Sequence, residues 1–78
     1  MKNEEIFNLI AKALEVPPEK ITIDTTSNNI DAWDSLGHLN ILMAMDKKFS
    51  GKISKTPEFA SIYSVKKIIE TLIRNKII

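Results

Sequence analysis

Ser35 and the chain's one histidine, His38, stand three residues apart in the run Trp33-Asp34-Ser35-Leu36-Gly37-His38. Two chemistries compete for that pair. A serine hydroxyl beside an imidazole base is the beginning of a nucleophile. Against it, no strand-turn-helix elbow surrounds the serine, and no third residue is evident to orient the histidine. With 78 residues the chain is also short for a hydrolase pocket. The alternative is a phosphate on the serine. At the start of a helix the first-turn amides lack intrahelical partners and the dipole end is positive. Asp34 suits the cap of the same turn. By itself, Asp34-Ser35 reads as no more than a helix cap.

The elements that must position this run follow from hydrophobic period and breakers. Ile6, Leu9, Ile10, Ala13 and Leu14 form one apolar stripe over Asn3 to Glu15, with Asn3 as cap and Pro17-Pro18 as stop. A long connection runs from Val16 to Trp33, extended at Ile21-Thr22-Ile23 and pinned by Ile21, Ile23 and Ile30. Connections of this length in a compact domain are often functional. The second helix spans Asp34 to Phe49, with Leu39, Leu42, Met45 and Phe49 as its core stripe. Leu36 and Met43 fall at the stripe's edge, and Gly51 suits a left-handed cap. Thr56-Pro57 starts a short third helix to Ser61. Ser64 caps a fourth, in which Val65, Ile68, Ile69, Leu72, Ile73 and Ile77 keep helical period. Trp33 is placed to pack across the first turn of the second helix toward His38, as a staple.

Composition narrows the function classes. Hydrophobic residues are 44 % and charged residues 27 %, values of a soluble folded domain. Residues 1–78 are expected to form one domain. The absence of cysteine excludes disulfides and thiolate chemistry by the chain itself. No secretory pattern or membrane-length apolar run is present, so a cytoplasmic protein without membrane insertion is expected. Residues 1–46 carry three lysines and eight acids, a net of −5; residues 47–78 carry eight bases and two acids, a net of +6. Scattered lysines of this kind read as a solvated face, so no nucleic-acid partner is expected.

Asp34-Ser35-Leu36 after a long loop, a second helix ending at Phe49, a short third helix and a final amphipathic one together resemble the acyl carrier protein family. The resemblance spans nearly the whole chain in order and spacing, and the family's Asp-Ser-Leu motif is matched by Asp34-Ser35-Leu36. It implies an all-α, four-helix acyl-carrier-like bundle, three main helices plus one short, with a long first loop. It further implies a monomeric carrier and not an enzyme. Ser35 would receive 4′-phosphopantetheine from coenzyme A through a separate magnesium-dependent phosphopantetheinyl transferase, with Asp34 and Leu36 beside the attachment. The arm's thiol would hold acyl groups as thioesters for acyl-loading and acyl-transfer enzymes. Partner contact would involve Leu36, Gly37, His38, Asn40 and Met43, with His38 at the surface near the arm.

The chain departs from the family in one respect. Gly37 and Asn40 stand where acids are common, and Lys47 and Lys48 follow Asp46, so the usual acidic face of the second helix is depleted. Charge complementarity selects partners. That change, with the form Trp-Asp-Ser-Leu-Gly-His, points to a specialised biosynthetic pathway more than to the central fatty-acid carrier. Two rival functions remain open at this level. One is a cofactor-free helical interaction module using Leu36 and Met43; the other is a small nucleic-acid-binding domain using the basic fourth helix.

Overall fold

The computed structural model describes residues 3–78. Lys2, counted in the charge balance, lies outside the described residues. The described residues form three α-helices: α1 (Asn3–Leu14), α2 (Ser35–Lys48) and α3 (Val65–Arg74). A 3-10 turn at Pro18–Lys20 and a 3-10 helix at Pro57–Ser61 complete the order. The result is an all-helical, acyl-carrier-like bundle. Asn3 is already helical rather than the cap of α1. Among the described residues no helix is long and apolar enough to cross a membrane.

The helices exist because each buries one face. Ile6, Ile10 and Leu14 of α1 share one core with Ile41 and Met45 of α2 and with Phe49 just after it, while Ile68 and Leu72 of α3 close the core with Phe59. Apolar burial of this kind is the main term holding the bundle together. The stripe on α2 differs from the expected one. Met45 and Phe49 are buried, but Leu39 is 50 % exposed, and the inward face is His38, Ile41 and Met45. A polar residue at the centre of the core face hid it from a hydrophobic count. Exposed Leu36, Leu39 and Met43 pulled the apparent stripe toward solvent. Ile73 is exposed too, because α3 buries only the side carrying Val65, Ile68, Ile69 and Leu72.

The long first loop is held by short-range polar bonds and one distant joint. The Thr25 hydroxyl accepts the Thr22 amide at 2.9 Å, and Asn29 Oδ1 accepts the Thr26 amide at 2.8 Å. Ile21 and Ile30 anchor it to the core, with Ile23 partly buried beside them. Farther along, Ser27 N–H donates to the Tyr63 carbonyl at 3.1 Å and Val65 N–H to the Thr25 carbonyl at 3.0 Å. An isolated antiparallel bridge, Thr26 to Ser64, forms between them. The Ser64 hydroxyl accepts the Lys67 amide at 3.4 Å and caps α3. Thr56 is the N-cap of the Pro57–Ser61 helix by position, while its hydroxyl donates to the Lys52 carbonyl at 3.0 Å and makes no cap bond.

All three helices terminate in the same way. Val16 N–H reaches the Ala11 carbonyl at 3.0 Å, Gly51 N–H reaches Asp46 at 2.9 Å, and Ile77 N–H reaches Leu72 at 2.8 Å. These are the long bonds of Schellman motifs. The residue between is left-handed each time: Glu15 at φ 57°, Ser50 at φ 56° and Lys76 at φ 56°. Gly51, the expected left-handed residue, does have φ 82°, but the cap position falls on Ser50. A side chain in this region is disfavoured by Cβ crowding that glycine escapes. Glu15→Gly is therefore expected to stabilise the protein by roughly 0.5–1 kcal/mol. The check is a higher urea midpoint at unchanged slope; a lower midpoint would contradict this account of the cap.

Candidate functional site

Ser35 is the first residue of α2 and is exposed. Asp34 before it has extended backbone, and its Oδ1 accepts the Gly37 amide at 2.8 Å. Its carbonyl accepts the His38 amide at 2.8 Å, which starts the helical ladder. The Ser35 and Leu36 amides fall in the turn where an α-helix supplies no internal acceptor. Two donors and the positive end of the dipole thus lie beside the Ser35 hydroxyl. A phosphate ester on that oxygen fits this donor set. The Asp34 carboxylate adds negative charge nearby, with one oxygen already tied to Gly37.

Gly37 is buried, and its lack of a side chain is a packing requirement. A Cβ there would run into the Ala32 carbonyl oxygen and stand 2.9 Å from Leu14 Cδ2. The first turn of α2 therefore lies directly on the loop and on α1.

His38 is the centre of the site's foundation. Only 2 % of it is exposed. The Trp33 indole N–H donates to Nδ1 at 3.0 Å, and Nε2 lies 2.9 Å from the Phe59 carbonyl. An indole nitrogen can only donate and a carbonyl can only accept. Nδ1 is therefore the acceptor, and Nε2 carries the proton and donates to Phe59. The neutral imidazole is satisfied on both sides. Tyr63 stacks on it with centroids 3.9 Å apart and planes 19° apart. The residue before the cap and the fourth residue of the helix are thus joined, as in a hydrophobic staple, here with a hydrogen bond added.

These contacts correct the expected surface. Gly37 and His38, read as partner-contacting residues, are both buried and form no part of the exposed face. Neither nitrogen of His38 is free to act as a base on Ser35, which removes the Ser–His nucleophile. Leu36 is 67 % exposed and Met43 56 %, with Asn40 partly buried between them and Leu39 joining the ridge. Sequence reasoning missed Leu39 as a surface residue and Tyr63 as a neighbour of the site. Tyr63 was findable in part, as the aromatic immediately before the Ser64 cap. Nothing in the spacing pointed to the Phe59 carbonyl.

Helix order, a long first loop and a capped serine opening the second helix define an acyl-carrier-like bundle. No family model matches the chain, and no solved structure matches it significantly. The acyl carrier protein of Campylobacter hominis is 32 % identical to it over 75 residues, covering 94 % of this chain and 95 % of that protein. On that similarity, the chain belongs to the acyl carrier protein family.

Two substitutions test the packing beneath the serine. Gly37→Ala is expected to destabilise the fold by about 1–3 kcal/mol, through overpacking against Ala32 and Leu14. Trp33→Phe leaves Nδ1 of His38 buried without its donor and is expected to cost about 1–3 kcal/mol. Both are read from urea midpoints. A neutral Trp33→Phe would show that the indole bond contributes nothing net.

Proposed function

We propose that this chain is a carrier rather than an enzyme, modified with 4′-phosphopantetheine on Ser35. The observation that carries the reading is an exposed serine at the first position of α2, beside two first-turn amides and a capping Asp34. When bound, the arm would supply the thiol that a cysteine-free chain lacks and hold acyl groups as thioesters. The chain's own contribution is placement. Asp34 fixes the first turn, Gly37 seats it on the loop, and the Trp33–His38–Phe59 bridge holds it to the rest of the bundle. Ser35 is thereby presented in solvent at a rigid helix end, where a phosphopantetheinyl transferase has access.

The partners we propose are acyl-loading and acyl-transfer enzymes that dock on the solvent face of α2, where Leu36 and Met43 are exposed beside Asn40. That face has no acid in its first turn and ends in Lys47 and Lys48. Its one acid, Asp46, accepts the Ser54 amide at 2.9 Å. An apolar face with little negative charge supports service in a specialised biosynthetic pathway, such as modified-sugar, polysaccharide or secondary-metabolite assembly. Efficient replacement of a central fatty-acid carrier with its usual synthases would refute that assignment.

The attachment is tested by intact mass after incubation with coenzyme A, magnesium and a broad-specificity phosphopantetheinyl transferase. Wild type is expected to gain one phosphopantetheine and Ser35→Ala none. Ser35→Ala should remain folded, because Ser35 is exposed and the Asp34 cap is untouched. A wild type that stays unmodified with several transferases would overturn the carrier reading.

A further inference from the structure

We infer that an acyl group carried on Ser35 rides outside the helical core, and that this carrier is built for short or polar acyl groups rather than long alkyl chains. The inference rests on the carrier reading and adds the class of cargo. A long alkyl chain in water gains from being buried, and the nearest apolar interior lies beneath the first turn of α2. That interior is filled. His38 occupies it, hydrogen-bonded on one side to Trp33 and on the other to Phe59. Tyr63 lies flat on the imidazole, and Phe59 is fully buried alongside.

Displacing this group is costly in a way that displacing a leucine is not. A chain entering between α2 and the Pro57–Ser61 helix would part His38 from Phe59 or Trp33. It would leave a buried indole N–H, carbonyl or imidazole nitrogen with no partner, and an alkyl chain can replace none of those bonds. Gly37 offers no slack either, since the backbone there already rests on Ala32 and Leu14. The open grooves among the described residues lie outside that interior; the one on the long loop, about 280 Å³, is walled by Lys20, Asn29 and Asp31 with Val16, Ile30 and Ala32. One of about 200 Å³, lined by Leu42, Met43, Asp46, Ile53 and Ser54, opens to solvent about two turns along α2. Its wall carries the Asp46–Ser54 hydrogen bond, and an open groove leaves a chain in contact with water. Another, about 550 Å³ and also open, lies between α1 and the far end of α2 at Lys47 and Lys48. His38 is on this account a specificity-determining residue, acting by exclusion.

The test loads the chain directly from acetyl- and octanoyl-coenzyme A, verifies each product by intact mass, and compares thermal midpoints. An enclosed octanoyl chain would raise the midpoint by several degrees. The two loaded wild-type forms are expected to melt within about 1 °C of each other. A solvent-sensitive dye on a pantetheine analogue at Ser35 is expected to emit as it does in water. An octanoyl form that melts several degrees higher, or a blue-shifted dye, overturns the inference while leaving the carrier reading intact. An unmodified Ser35 overturns both. His38→Ala, which empties the space, is expected to create an octanoyl-dependent rise. Equal midpoints in that variant would overturn the role given to His38. Should the variant not fold, the wild-type comparison still decides.

Discussion

The imidazole of His38 ties four parts of the chain to one point. It belongs to α2, takes its hydrogen bond from Trp33 at the end of the long loop, and gives one to Phe59 in the 3-10 helix. Its face is covered by Tyr63 from the segment leading into α3. A side chain with one donor and one acceptor at opposite edges is required there, because the two groups it meets are of opposite kind. An apolar residue of similar size would fill the volume and leave two buried polar groups unmatched. Buried polar bonds of this sort specify one arrangement of the elements, where apolar packing alone tolerates several. The orientation of the helix end that carries Ser35 depends on it.

Much of this was legible in the residues, and the failures share a cause. The helices, their order, the two prolines after α1 and the Ser64 cap follow from period and backbone chemistry that act locally. Asp34 as cap and the Trp33–His38 contact were readable for the same reason, since both partners lie within one turn. What could not be read was the inward direction of α2. Hydrophobic counting treats His38 as an outward residue and Leu39 as an inward one, and the fold reverses both. The reversal depends on the Phe59 carbonyl, twenty-one positions away. A backbone acceptor has no side-chain signature, so no local pattern announces it.

Membership in the acyl carrier protein family and the details of this surface are separate matters. Relatedness at 32 % identity over 94 % of the chain shows the family. It leaves the solvent face of α2 free to differ. On this chain that face is an apolar ridge of Leu36, Leu39 and Met43, with lysines at its far end. A ridge of this kind gives contact area with little long-range steering. A partner docking there, as proposed, would depend on fit at close range more than on attraction at a distance, and on residence more than on encounter.

The joint between Thr26 and Ser64 has a consequence for the order of assembly. It pairs residues on either side of α2, so its two strands of chain meet only when the whole helix and its flanking segments have closed into a ring. Closing a long ring is entropically unfavourable until other contacts have shortened it. The helices can form and pack through neighbours in sequence, and this joint comes after them. In reverse, a single bridge with a few bonds around it is a low point in local stability. On these grounds the slowest amide exchange is expected in the packed helices and earlier opening at the Thr26–Ser64 seam.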